Sequence, residues 1–310
     1  MKWRLKLLIL AAQLLLVSHK GLAQPETLPV QTRSRFGVVE EYSVLKTDKM
    51  VRQGSYVRYH LAGLAVYEAG SYERGLREGE WRSFSEYYPW NKLLSKGTYR
   101  AGLPEGRWTY YYPYAKAVGQ EKQSSNALES KTTLRVDVDD TTAVLQAKGL
   151  CYQGARVGIW KYYSATGQLI QAINHSANQL LYWQPATGQP MSGDALAANH
   201  PLLYVGGKGR LQMDISNYLD LKTLLSAKQA GSAVFQFSVD STSRQTRVAL
   251  AENMLPNKYE ALILKALNNV TTQWLPQVVN GHPVAATYQV RIIAKLNENR
   301  LETNVEALGD

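Results

Sequence analysis

The chain has 310 residues, 45% of them hydrophobic and 10% aromatic, and a formal net charge of +10 at pH 7. That composition supplies apolar material for about two domains with real cores and excludes a chain disordered throughout. A single cysteine excludes a disulfide framework and a cysteine-based metal knuckle, and the basic excess is scattered rather than run together, which favours solubility or an anionic surface over nucleic acid.

Lys2, Arg4 and Lys6 make a basic start, Leu7 to Val17 is apolar apart from Gln13, and Gly21-Leu22-Ala23 ends in small residues. This pattern predicts a secretory signal peptide over residues 1–23, cut before Gln24. The rival reading, an uncleaved anchor, needs about 20 apolar residues, more than this run provides. No cysteine follows the cut, so no lipid anchor is expected there, and the expected location is periplasmic or secreted.

Residues 40–183 carry a repeat. Gly70, Tyr72, Gly75, Gly79, Trp81 and Phe84 stand at offsets 0, 2, 5, 9, 11 and 14. The same offsets recur at Gly97, Tyr99, Gly102, Gly106, Trp108 and Tyr111, and again at Gly149, Cys151, Gly154, Gly158, Trp160 and Tyr163. Gly54, Tyr56 and Tyr59 match the second half of an earlier unit, so the array is expected to open near Tyr42. The spacing from Gly97 to Gly149 is two periods, which predicts a degenerate unit in the gap with an insertion near 115–147. Within each unit an aromatic strand, a glycine-rich turn such as Gly102 to Gly106 and a Trp-bearing strand read as a hairpin. Offsets 2 and 11 then pair aromatics across it. This pattern resembles the MORN repeat, in its antitoxin-type variant. The resemblance implies an antiparallel β-hairpin array that serves as an interaction or spacing module.

Tyr110, Tyr111, Tyr112, Tyr162 and Tyr163 are read as packing between neighbouring hairpins, the alternative being a carbohydrate or peptide platform. Cys151, standing where the other units have Tyr, is read as a small buried hydrophobe. In the insertion, Leu134 to Val138 alternates like a strand, and Asp139-Asp140 reads as a solvated turn rather than a calcium loop.

Residues 184–199 read as a linker, 200–297 as a second domain and 298–310 as a polar tail. Lys208 to Ala230 has helical spacing broken near Asp220, and Ala233 to Val239 alternates as a strand with Arg247 to Leu250 as its hairpin partner. Pro256 opens a helix with an apolar face of Tyr259, Leu262, Ile263, Ala266, Leu267 and Val270, and Tyr288 to Leu296 alternates again. The expected fold class is therefore mainly β plus α+β, a hairpin array followed by a small α+β domain.

Pro201, Tyr204, Gly206, Gly207, Gly231, the Phe235 to Val239 strand, Trp274, Pro276, Asn280, Gly281, Pro283 and Val284 make this second domain similar to the C-terminal domain of TonB-type energy transducers. The resemblance implies that a strand edge, Ala286 to Ala294 here, takes a short receptor peptide by β-augmentation. The partner-binding residues it implies are Thr287, Gln289, Arg291 and Ile293. A homodimer through the same edge is the equal alternative. Tyr218 is followed by Leu219-Asp220 rather than by proline, an Asp-Gly turn is replaced by Asp240-Ser241-Thr242-Ser243, and the chain has only 11 prolines, which weakens an energy-transducing role.

His60, His175, His200 and His282 are dispersed, without metal-ligand spacing. Gly206-Gly207-Lys208-Gly209 reads as a turn before a helix and not a phosphate loop, and no nucleophile elbow or motif-placed carboxylate pair appears. The expectation is a non-enzymatic exported interaction protein without metal or cofactor. Its partner is a protein or extended peptide such as an outer-membrane receptor, and membrane association is peripheral at most. The alternatives are an energy-transducer component and an envelope-binding structural protein.

Overall fold

The computed structural model describes residues 25–61, 65–86, 92–113, 143–218, 231–254, 260–269, 274–297 and 300–307, with backbone only at 216–218 and 294–307. Of the described residues 62% are strand and 12% helix. The expected signal peptide, the Leu134 to Val138 strand with Asp139-Asp140, Tyr259 and Val270 lie outside them.

Twelve strands form one antiparallel sheet in unbroken chain order. They are β1 (Thr27–Arg33), β2 (Val38–Leu45), β3 (Arg52–His60), β4 (Ala65–Glu73), β5 (Leu76–Phe84), β6 (Leu93–Arg100), β7 (Leu103–Tyr112), β8 (Val144–Tyr152), β9 (Ala155–Tyr163), β10 (Leu169–Asn174), β11 (Gln179–Trp183) and β12 (Met191–Ser192). Sequential order costs little loop entropy and makes every strand the neighbour of its predecessor. Two expectations change. The sheet opens at Thr27, ahead of residue 40, and β7 pairs directly with β8, so no degenerate hairpin stands between the second and third full units. The 52-residue spacing thus separates two units that are neighbours in the sheet, and β8 begins at Val144, inside the expected insertion bounds.

Each full unit closes on a two-residue turn with positive φ at both positions: Arg74 and Gly75, Ala101 and Gly102, Gln153 and Gly154. This is the mirror-image turn whose twist suits a hairpin, and glycine in its second place avoids the Cβ clash. The glycine at offset 9 was expected in the same turn; it lies further along the strand, in a bulge. Between Lys96↔Thr109 and Thr98↔Glu105 the second strand spends four residues against two on the first. Gly106, at φ 68°, takes up the kink, and Gly79 and Gly158 do the same in the other units.

The smaller unit follows. β12 runs into α1 (Gly193–Ala198), then come β13 (Leu203–Tyr204), α2 (Gly207–Tyr218), β14 (Gly231–Val239), β15 (Gln245–Asn253), α3 (Glu260–Asn268), β16 (Trp274–Leu275), β17 (Gln277–Val279), β18 (His282–Val284), β19 (Ala286–Asn297) and β20 (Arg300–Ala307). The main sheet has the order β15-β14-β19-β20. Its core joins Leu211 and Ile215 of α2, Phe235 and Phe237 of β14, Ile263 and Leu267 of α3, and Tyr288, Val290 and Ile292 of β19. Leu262, expected on the apolar face of α3, is exposed. The expected linker is part of the fold, since β12 pairs with β11 and Leu196 of α1 is buried against the large sheet. The expected polar tail contains a full strand, β20, paired with β19 over all eight of its residues.

The two units share a packed junction. Leu203, Val205 and Leu275 join Trp108, Trp160, Tyr162 and Ile173 of the large sheet in one apolar cluster. Gln171, 1% exposed, sits at its centre and donates to the Tyr204 carbonyl at 3.0 Å while accepting from the Gly206 N–H at 2.7 Å. A Cβ on Gly207 would come within 2.8 Å of Ile170, so this glycine lets the start of α2 approach β10. Of the Gly206 to Gly209 run, only Gly206 lies in the turn, and Gly207 to Gly209 already belong to α2. A cavity of about 230 Å³ remains beside it, lined by Tyr112, Gln171, Trp183, Lys208 and Tyr288 among others.

Candidate functional site

The aromatic face of the large sheet is built from the repeat itself. The bulge at offset 9 turns the Trp at offset 11 flat over the glycine at offset 0. A Cβ on Gly70, Gly97 or Gly149 would lie 2.3, 2.2 or 2.3 Å from that indole ring. The three indole N–H groups donate to the carbonyls of Ser71, Thr98 and Leu150 at 3.0, 3.2 and 2.8 Å. Offsets 2 and 11 meet as expected: Tyr72 and Trp81, and Tyr99 and Trp108, are edge-to-face at 5.1 Å. Tyr110 stacks on Trp108 and reaches Trp160, and Tyr162 stacks on Trp160, so these aromatics pack between hairpins. Tyr112 is buried and donates to the Tyr163 carbonyl, Tyr111 packs against a second cluster around Phe84, and the Tyr163 ring lies under Lys148. Cys151 is buried in the junction cluster, and burial pushes its thiol up.

Two recurring positions escaped the sequence reading. Arg52, Arg77 and Arg156, at offset 7, lie over the aromatic rings, the closest being Arg77 at 4.2 Å from Trp81. Gln53, Glu78 and Glu105, at offset 8, accept the turn N–H of the following hairpin at 2.8, 2.8 and 3.1 Å. Both were visible as like residues at fixed offsets, but their roles depend on contacts between neighbouring units.

At the junction end of the aromatic row, Arg156 donates to the Tyr162 hydroxyl at 3.1 Å, and that hydroxyl lies 2.7 Å from His175 Nε2. Burial pushes Tyr162 up to about 12, against the Arg156 charge, while burial and then the Arg156 charge lower His175 from 6.5 to about 4. His175 therefore binds a proton less readily folded than unfolded, so its contribution to stability is present above about 6.5 and is lost as pH falls towards 4. After allowance for partial exposure the loss should be about 2 kcal/mol. Melting temperatures between pH 7 and 4 should show that slope, and His175→Asn should flatten it.

The expected partner-binding residues Thr287, Gln289, Arg291 and Ile293 stand on one face of β19, alternating with the core residues Tyr288, Val290 and Ile292. Their register partners on β14 are Ser238, Gln236, Val234 and Ser232. The expected edge is corrected. From Val290 to Asn297 the other side of β19 is occupied by β20, and the outer strands are β15 and β20. Only Ala286 to Gln289 lies beyond the last described β20 pair. Among the residues that carried the resemblance, Trp274 is buried 5.1 Å from the Tyr204 ring and packs on Phe237 and Tyr288. Asn280 and Gly281, at φ 51° and 78°, form the turn between β17 and β18; Pro276 stands just before β17, and Pro283 lies within β18 opposite Val278.

The face of the large sheet opposite the Trp ladder carries a different surface. Pairing places Gln31, Glu41, Val57, Ala69, Arg82, Lys96, Thr109, Lys148 and Lys161 in one row across β1 to β9. At its start lies a groove of about 700 Å³, floored by Ser55, Val57, Ala69 and Ser71 and walled by Gln31, Glu41, Glu80 and Arg82 among others. Its acids are bonded: Glu41 accepts from Gln31 and Tyr59, and Glu80 holds Arg82. Further on, Lys148, Lys161, Arg107, Leu150 and Ile159 are exposed.

Among the described residues no group of three or more His, Cys, Asp or Glu side chains could hold a metal ion, and no helix is long and apolar enough to cross a membrane. No protein-family model, curated protein or solved structure matches the chain.

Proposed function

We propose that this chain is a non-enzymatic exported interaction protein, in which a MORN-like arm of β-hairpins carries a TonB C-terminal-like unit that takes an extended peptide or protein edge by β-augmentation. What supports the reading is the way the smaller sheet ends. Its outer strands β15 and β20 each have one neighbour among the described residues. β15 carries two register shifts against β14, and such bulges blunt an edge. β20 pairs with β19 without a shift, which makes its outer side the better template. Affinity in such a complex comes from main-chain hydrogen bonds, so sequence demands on the partner are slight.

The test is selection from a phage-displayed random peptide library, followed by binding to two variants. Thr303→Pro and Asn304→Pro alter neighbours whose N–H groups point to opposite sides of β20, so only one removes an outward donor. That variant should lose about tenfold or more in peptide affinity with little change in melting temperature. Failure to enrich any peptide, or binding indifferent to both prolines, would remove β20 as the docking edge.

A further inference from the structure

We propose that two copies of this chain pair edge to edge through β1, antiparallel about a two-fold axis at Val30, and so join their large sheets into one. This contact goes beyond the peptide-binding reading and uses an edge separate from β20.

Among the described residues β1 has a neighbour on one side only, at the start of the large sheet. The far end is closed differently: β12 is two residues long and runs into α1, whose Leu196 is buried. β1 instead offers seven residues, paired with β2 without a shift. Two bonds fix which way its backbone points. The Lys46 N–H donates to the Glu26 carbonyl at 2.9 Å, and the Ser34 N–H donates to the Val38 carbonyl at 2.8 Å. Backbone groups alternate along an antiparallel strand, so Leu28, Val30 and Thr32 bond to β2 while Thr27, Pro29, Gln31 and Arg33 turn theirs outward. Pro29 therefore breaks no bond within the sheet, and the outward edge keeps the N–H groups of Thr27, Gln31 and Arg33.

The sequence of β1 selects a second copy as the occupant. With Val30 opposite its own image, Thr27 faces the partner's Arg33 and Pro29 faces the partner's Gln31, so the whole strand pairs and no like charges stand opposite each other. This register makes about six main-chain hydrogen bonds, and sliding it by two residues either way leaves about four. Leu28 and Val30 are half-buried among exposed neighbours, beside Val44 and Tyr42. Tyr42 belongs to the aromatic row through Tyr56, so contact between Val30 and the partner's Val30 continues that face across the axis. On the opposite face the groove of about 700 Å³ has Pro29 and Gln31 in its wall, and the grooves of the two copies meet at the same axis.

The experiment uses the whole chain as recovered from cells. Sedimentation velocity over a range of concentrations should show a monomer–dimer equilibrium. Pro29→Ala adds an outward donor to each copy and should tighten the dimer by about tenfold, whereas Gln31→Pro removes one and should weaken it by about tenfold with unchanged circular dichroism. Val30→Cys tests the register, because facing residues without mutual main-chain bonds have Cα atoms about 4.5 Å apart, within disulfide reach. On oxidation Val30→Cys should give a reducible covalent dimer. Leu28→Cys, about 14 Å from its own image, should not, and neither should the unaltered chain, whose Cys151 is buried. A monomer at every concentration, an equilibrium indifferent to Pro29→Ala and Gln31→Pro, or cross-linking of Leu28→Cys as fast as of Val30→Cys would overturn the proposal. Loss of the dimer in the β20 prolines would overturn it too, by moving the contact to the smaller sheet.

Discussion

Trp108→Ala should lower the unfolding free energy by about 3–5 kcal/mol in urea titrations. The indole is buried, its N–H is bonded to Thr98, it meets Tyr99 and Tyr110, and it covers Gly97. Alanine would empty that site and leave the Thr98 carbonyl without its donor. Gly97→Ala should also be costly, by about 3 kcal/mol, although it adds a single methyl group. That methyl would stand 2.2 Å from the ring, and the ring is pinned on both sides. The pair should be strongly non-additive: once Trp108 is gone, the methyl meets no clash, and the double variant should cost about what Trp108→Ala costs alone. Additive losses would mean that glycine at offset 0 serves the backbone and not the ring. A loss below about 1 kcal/mol for Trp108→Ala, with ligand binding abolished, would instead make the aromatic row a binding platform.

Gln171→Leu should cost about 3 kcal/mol and loosen the junction between the two units. The replacement is close in size, so the loss would come from hydrogen bonds rather than volume. It strands the Tyr204 carbonyl and the Gly206 N–H, both of which Gln171 satisfies in a buried setting. Amide exchange should then quicken along 203–210, while the hairpins around Trp81 keep their protection. If exchange rose evenly along the chain, the junction would be part of one cooperative unit with the array. Gln171→Glu distinguishes charge from shape, since it keeps an acceptor for Gly206 but loses the donor to Tyr204.

The hairpin array was readable because its determinants are local. A glycine two residues from a tyrosine, a mirror-image turn and a Trp at a fixed offset describe one hairpin, and a hairpin's register follows from its own turn. The offset-9 glycine was misplaced for a local reason as well. Positive φ serves a turn and a bulge equally, and only the count of residues between paired positions separates the two. The second unit was readable to the extent that periodicity marks helices and strands, as at Phe235 and Phe237 of β14 or Ile263 and Leu267 of α3. Its C-terminal strand was missed because Arg300 to Ala307 is largely polar, and a strand on the outside of a sheet needs little apolar alternation.

The sequence by itself determined the repeat, the tyrosine–tryptophan contacts and the α+β character of the second unit, because each depends on residues within about one turn or one hairpin of each other. Only the tertiary structure decided that β7 pairs with β8 across 31 intervening residues, from Tyr112 to Val144, and that β19 is covered by β20. It also decided that Gln171 closes the junction and that Arg82, Lys96, Lys148 and Lys161 fall into one row. Pairing between distant segments is chosen by the buried faces that must meet and by the backbone groups that must be satisfied, and neither is written in any short stretch of the chain.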